Sequence, residues 1–276
     1  MPETLDAIFI PCLVYHRLHQ GAGPLNPGLR AFSLEVSLFR SHMEALQGAG
    51  YRAASLADFV SWKKGANRPP TKPLLITFDD GWASNLSLAW PVMNQLHFPC
   101  TIFVVADRGV DLFNEGGNLD RPLTDEEVAR LAAEGVSIQS HGLTHRPFTE
   151  MPRDALDLEL RESRRRLETL TGKPVEWLAA PFGLANRTVE VAARAAGYIG
   201  FDQGLTGANS LSTDLFSLRR LGVRPSWSAE DLPGKLTPDN LRRAAITENF
   251  KRRIRLLLGH RNSARLRSLI RGKTTC

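Results

Sequence analysis

From the N-terminus to residue 234, short apolar runs alternate with amphipathic stretches, and this alternation restricts the fold more than any other feature. Strands are expected over residues 7–15, 73–78, 101–105, 136–139, 176–180 and 198–201, each closed by turn-forming residues. Helices with readable starts lie between them. Ser33 precedes a helical pattern over 34–47, Ser55 and Thr124 are each followed three residues later by an acid (Asp58, Glu127), and Asn186 precedes 187–196. Gly48, Gly135 and Gly197 stand where helices should stop. Strands alternating with helices over 276 residues predict a parallel sheet, either open or closed into a barrel. Two irregular stretches, 21–28 and 107–122, read as loops that could border a site.

Charge divides the chain into two parts. The net charge is +6, yet residues 235–276 hold 12 Lys or Arg against Asp239 and Glu248 alone, so acids outnumber bases before residue 235. The expected organisation is a domain over 1–234 followed by a basic, helical extension over 235–276. In that extension Phe250, Ile254, Leu257 and Leu258 recur at helical spacing among Lys251, Arg252, Arg253 and Arg255, and Leu266, Leu269 and Ile270 repeat the pattern. Such a helix suits peripheral contact with an anionic membrane, the plain alternative being a solvated face. No nucleic-acid motif accompanies the charge, which argues against DNA or RNA as partner.

No apolar run reaches the roughly 18–20 residues that span a bilayer. Residues 1–6 carry two acids and no base, unlike a secretory leader, so the expected location is the cytoplasm, at most peripheral at the inner face of the membrane. Cys12, Cys100 and Cys276 are too few and too scattered for a disulfide framework or a cysteine metal cluster.

Three segments carry chemistry. In Leu74-Leu75-Ile76-Thr77-Phe78-Asp79-Asp80-Gly81-Trp82 an apolar strand runs into two carboxylates, at the strand end where parallel folds place their sites. Successive side chains point to opposite faces, so the two acids can hold different roles, one toward a metal and one toward a water. In Val136-Ser137-Ile138-Gln139-Ser140-His141-Gly142-Leu143-Thr144-His145, two histidines four apart would share one face of a helical turn and reach one divalent ion. With an Asp from another strand end they complete a His₂Asp set. In Trp177-Leu178-Ala179-Ala180-Pro181-Phe182-Gly183 a strand enters a turn whose Phe182 could wall a groove and present its N–H to an oxyanion.

Thr77-Phe78-Asp79-Asp80-Gly81, His141 with His145, and Pro181-Phe182-Gly183 resemble, in order and spacing, the first three motifs of the polysaccharide deacetylases, the NodB homology domain or carbohydrate esterase family 4. Cys12-Leu13-Val14-Tyr15-His16 and the run 32–56 further resemble the poly-N-acetylglucosamine deacetylase subgroup. The resemblance implies a distorted (β/α) barrel with a C-terminal basic helical tail, and hydrolysis of the N-acetyl group of an amino sugar in a poly- or oligosaccharide or glycolipid. It implies Asp79 as general base, with Asp80, His141 and His145 as ligands of zinc or a similar divalent ion. Trp82, Pro181 and Phe182 would border the substrate. Two residues depart from the pattern: Ala179 stands where many members carry the Arg that pairs with the catalytic Asp, and the late Leu-x-His motif is missing. Arg220 is expected to restore the positive charge, and His16 to replace the acid that protonates the departing amine. The competing readings are a hydrolase of another amide, imide or ester on the same fold, and a non-catalytic carbohydrate-binding relative.

Overall fold

A computed structural model of the chain describes residues 8–21, 27–109 and 120–272. Its strands are β1 Cys12–Tyr15, β2 Arg17–His19, β3 Ser33–Glu35, β4 Arg52–Ala54, β5 Pro73–Phe78, β6 Thr101–Val104, β7 Ser137–Ser140, β8 Trp177–Ala179, β9 Gly200–Leu205, β10 Leu218–Arg219 and β11 Leu221–Gly222. The main sheet runs β10-β9-β8-β7-β6-β5-β1-β11, with β4 on β5 outside that path, and every pairing within it is parallel. β10 pairs with β9 and β11 with β1, and only Arg220 separates the two. The segment therefore joins the two ends of the sheet, and the barrel nearly closes around it.

Side-chain alternation along the strands sorts the core into two clusters. Cys12, Leu75, Phe103, Trp177, Ala179 and Leu218 form the inner one, while Leu13, Leu74, Ile76, Ile102, Leu178 and Phe201 pack outward against Phe39, Met43, Leu131, Leu160 and Val189 of the surrounding helices. Burying each large side chain of this kind contributes about 1.5–3 kcal/mol. Trp177 fills the barrel interior so closely that a Cβ on Gly200 would lie 2.3 Å from its ring, a space only glycine leaves. Continuing the inner parity toward the strand ends gives Thr77 and Asp79 after Leu75, His141 after Gln139, Asp202 after Gly200, and Arg220 after Leu218. An apolar plug thus supports a polar layer.

Several boundaries move. Of the strand expected over 7–15, residue 7 lies outside the described residues and the strand itself is Cys12–Tyr15, and the strand expected over 198–201 instead covers Gly200–Leu205. The short strands β2, β3, β4, β10 and β11 carry too few residues for a readable period. Ser33 does not cap a helix; it lies in β3, and Glu35 caps Val36–Gly48 by accepting from the Ser37 and Leu38 N–H groups. Ser55 with Asp58 and Thr124 with Glu127 form reciprocal capping boxes, and Asn186 caps Arg187–Ala195. Most of the two loop stretches, 22–26 and 110–119, lies outside the described residues. The basic extension enters the helix Pro238–Gly272, and Leu236 and Leu241 at its start are buried in the outer core. No described helix is long and apolar enough to cross a membrane.

Candidate active site

Asp79 and Asp80 leave β5 at the polar layer and are both buried. The chain turns sharply there, with φ of 75° at Asp80 and 79° at Gly81. Asp80 directs Oδ1 at two imidazoles, 3.4 Å from His141 Nε2 and 3.3 Å from His145 Nε2. Its Oδ2 accepts from Trp82 Nε1 at 3.0 Å. Burial alone would raise the Asp80 carboxyl, but its contacts with His141 and His145 hold it well below the ordinary carboxylate range.

The two histidines do not sit on a helical turn. Gly142 (φ 82°) and His145 (φ 57°) are left-handed, and a loop carries the pair. Glu159, buried on the helix Arg153–Thr171, organises that loop: its carboxylate accepts from the N–H of Leu143 at 2.8 Å, the N–H of Thr144 at 2.7 Å and the Thr144 hydroxyl at 2.9 Å. A Cβ on Gly142 would come within 3.0 Å of the same carboxylate and 2.9 Å of Phe148, so the loop is built around a glycine. His141 donates from Nδ1 to the Ala179 carbonyl at 3.0 Å, which fixes the ring with Nε2 toward Asp80.

These donors suit a divalent ion. One oxygen and two imidazole nitrogens lie within 4.8 Å of one another, the mixed His₂-carboxylate set that leaves open positions on a bound metal. Two of the three ligands are oriented by outer hydrogen bonds, Asp80 by Trp82 and His141 by Ala179.

Arg220 lies beside them. Its guanidinium bridges two carboxylates, donating to Asp79 Oδ1 and Oδ2 at 2.7 and 2.8 Å and to Asp202 from Nε at 2.8 Å and Nη2 at 2.5 Å. Nη1 also donates to the Thr77 hydroxyl at 3.0 Å, and Phe103 lies 5.0 Å below the guanidinium. Burial would raise Asp79, and Arg220 together with His141 brings it below its ordinary value. Asp202 goes the other way, raised by burial more than Arg220 lowers it. Asp202 and Glu159 are the two functional positions that sequence reasoning missed. An acid within the apolar end of a strand was the available signal for Asp202; Glu159, one of many charges on its helix, gave none.

Asp79, Asp80, His141, His145, Arg220 and His16 line one cavity of about 360 Å³. His16 follows β1 with its ring 4.9 Å from Phe32, and burial lowers its pKa against the pull of Asp80 and Asp79. Phe182 is half-exposed, adopts φ 60°, and lays its ring 4.9 Å from His145 on the cavity wall. Trp82 and Pro181 have a different place from the one expected. Trp82 is 1% exposed, with its indole on Asp80 and Arg17 stacked 4.3 Å over the ring, so it supports the carboxylate and has no face for a sugar. Pro181 is buried under the turn and shapes the backbone of Phe182.

Residues 66–201 match the family model described as polysaccharide deacetylase. The chain belongs to the polysaccharide deacetylase family. Over 222 residues it is 27% identical to YxkH of Bacillus subtilis, whose name places it with the polysaccharide deacetylases; the match covers 79% of this chain and 73% of that protein. The poly-beta-1,6-N-acetyl-D-glucosamine N-deacetylase of Staphylococcus epidermidis is 24% identical over 189 residues, covering 63% of this chain and 65% of its own length. Among solved structures, the Streptococcus pyogenes deacetylase PplD in complex with acetate superposes with a TM-score of 0.71 at 23% identity, covering 84% of this chain and 99% of that one, and so shares the fold.

Proposed function

We propose that the chain hydrolyses the N-acetyl group of an amino sugar in a poly- or oligosaccharide or glycolipid, using zinc or a similar divalent ion. The observation that carries this reading is the juxtaposition, in one cavity, of a three-donor cluster with a carboxylate locked by a buried arginine. Asp80, His141 and His145 would hold the ion, which supplies Lewis-acid activation when bound.

The remaining chemistry belongs to the chain. Asp79, kept ionised and oriented by Arg220, takes a proton from the attacking water. The Phe182 N–H, presented by its left-handed turn, donates to the carbonyl oxygen as charge develops on it. His16, on the cavity wall, delivers a proton to the departing nitrogen. Acetate and a free amine leave. Arg220 stands in for the arginine whose place Ala179 occupies: Ala179 pairs in register with Asp202, and Asp202 holds the guanidinium from that side.

Acetate release from N-acetylglucosamine oligomers tests the reading, with metal-loaded protein, chelated protein and Asp79→Asn in one assay. Release that requires both metal and Asp79 is expected. A folded, metal-loaded chain that releases none from any N-acetylated oligomer overturns the assignment.

A further inference from the structure

The C-terminal helix Pro238–Gly272 presents two opposite faces over residues 241–258. On one face Leu241 is buried, and Asn249 exchanges hydrogen bonds with the backbone of Thr206, accepting from its N–H at 2.9 Å and donating to its carbonyl at 3.1 Å. Arg252, 8% exposed, donates from Nε to the carbonyls of Gly183 at 3.1 Å and Gln203 at 2.8 Å, and from Nη2 to that of Ala185 at 3.1 Å. These bonds fix the rotation of the helix about its axis. They also lay it along the rim of the catalytic cavity, which Gly183, Thr206 and Arg255 help to line.

The opposite face is apolar and uncovered. Ile246, Phe250, Ile254 and Leu257 recur at spacings of four, four and three, on the side of the helix away from Asn249 and Arg252. They are 75, 64, 39 and 86% exposed. Exposed Lys251 and Arg253 flank the stripe, one on each side, and exposed Arg243 continues it toward the N-terminal end. Single exposed hydrophobes are ordinary, but a continuous stripe on a helix whose rotation is fixed marks a contact surface.

We propose that this stripe lies in the headgroup region of an anionic phospholipid bilayer, with the apolar side chains at the acyl boundary and the flanking bases at the phosphates. Charge selects this occupant. The extension carries 12 Lys or Arg, and its two acids are both engaged, Glu248 by Arg224 and Lys251 and Asp239 by Arg242. A second copy packing the same face against this one would bring like charge onto like charge, whereas an anionic surface is complementary to both the stripe and its flanks. The contact stands independently of the catalytic reading. Taken with that reading, it holds the cavity rim at a membrane surface and points to amino sugars carried there.

Co-sedimentation of the full chain with phosphatidylcholine vesicles containing phosphatidylglycerol tests the proposal. Binding is expected, weaker as salt rises and weaker still on vesicles of phosphatidylcholine alone. The double variant Phe250→Ser, Leu257→Ser should lower partitioning about tenfold or more, and Lys251→Gln roughly fivefold. Both leave thermal unfolding unchanged and acetate release from soluble oligomers as in the parent chain. No binding to the anionic vesicles, or equal binding by the double variant, overturns the proposal. So does a dimer in sedimentation equilibrium that the double variant abolishes while no vesicle binding is seen. Failure of acetate release leaves the vesicle result intact, so the two readings fail separately.

Discussion

The two halves of the site are assembled in different ways. Asp80, His141 and His145 come from two short segments, each a strand end and the turn that follows it. Asp79 follows β5, Asp202 lies within β9 and Arg220 stands between β10 and β11, and the three meet only when the barrel closes, with Arg220 standing 141 residues from the carboxylate it locks. The first half needs local backbone geometry and a glycine at 142. The second needs a closed ring, because Arg220 sits between the halves of the strand that pair with β9 and β1. The candidate metal site therefore draws on two strand ends and one anchoring helix, whereas charge balance at Asp79 needs the whole ring to close.

That contrast can be broken by substitution. His141→Ala removes one of three donors, so metal content should fall to background and acetate release should drop by about a thousandfold or more. Arg220→Ala should leave metal content near that of the parent chain, since Arg220 touches none of the donors. It strands two buried carboxylates, at a cost of about 3–5 kcal/mol in unfolding free energy, and release should fall about a hundredfold. Arg220→Lys restores charge without the two-pronged geometry and should recover part of both losses. Metal analysis by mass spectrometry beside denaturant unfolding checks all three. Loss of metal from Arg220→Ala would show that the halves are one unit.

Trp82→Phe probes the metal half more gently. The ring volume under Arg17 is largely kept while the Nε1 donor to Asp80 Oδ2 is lost. Outer hydrogen bonds of this kind are worth about tenfold or more in metal affinity, so a competition titration with a chelator should show a shift near tenfold and a folded chain. An unchanged affinity would mean that the sharp turn at Asp80 and Gly81, rather than Trp82, sets the carboxylate.

The same contrast explains what could be read before the structure. Strand ends at Phe78 and Ser140, the two capping boxes and the acid and histidine ligands are all encoded within runs of about ten residues, where period and turn chemistry are informative. The helical placement of His141 and His145 was not recoverable, because the left-handed turns and the Glu159 anchor that replace a helix depend on a distant segment. Trp82 looked like a sugar platform from its place after the acids, and only the packing of Arg17 and Asp80 on it shows otherwise. Arg220 was nameable from the gap at Ala179. Asp202 gave only the signal of an acid beside an apolar strand run, and its role follows from the guanidinium it shares.

Asp202→Asn gives the smallest expected effect and separates charge from shape in the second half. Asn keeps one oxygen, which can stay on the guanidinium N–H groups that Oδ2 now accepts, while its NH2 faces the Gly204 N–H that Oδ1 accepts at 3.0 Å; Arg220 should remain on Asp79 and release should change by less than about tenfold. Stability should show a pH signature. Burial raises the Asp202 carboxyl above its unfolded value against the pull of Arg220. A raised carboxyl favours the folded state while protonated, and that contribution is lost as pH rises through the folded value. Asn does not titrate, so the variant should gain on the parent chain as pH rises out of the acid range. Denaturant unfolding of both proteins from acid to neutral pH reads the difference directly. A variant that instead loses ground with rising pH would mean that Arg220 holds Asp202 as firmly ionised as Asp79, making the pair symmetric about the guanidinium.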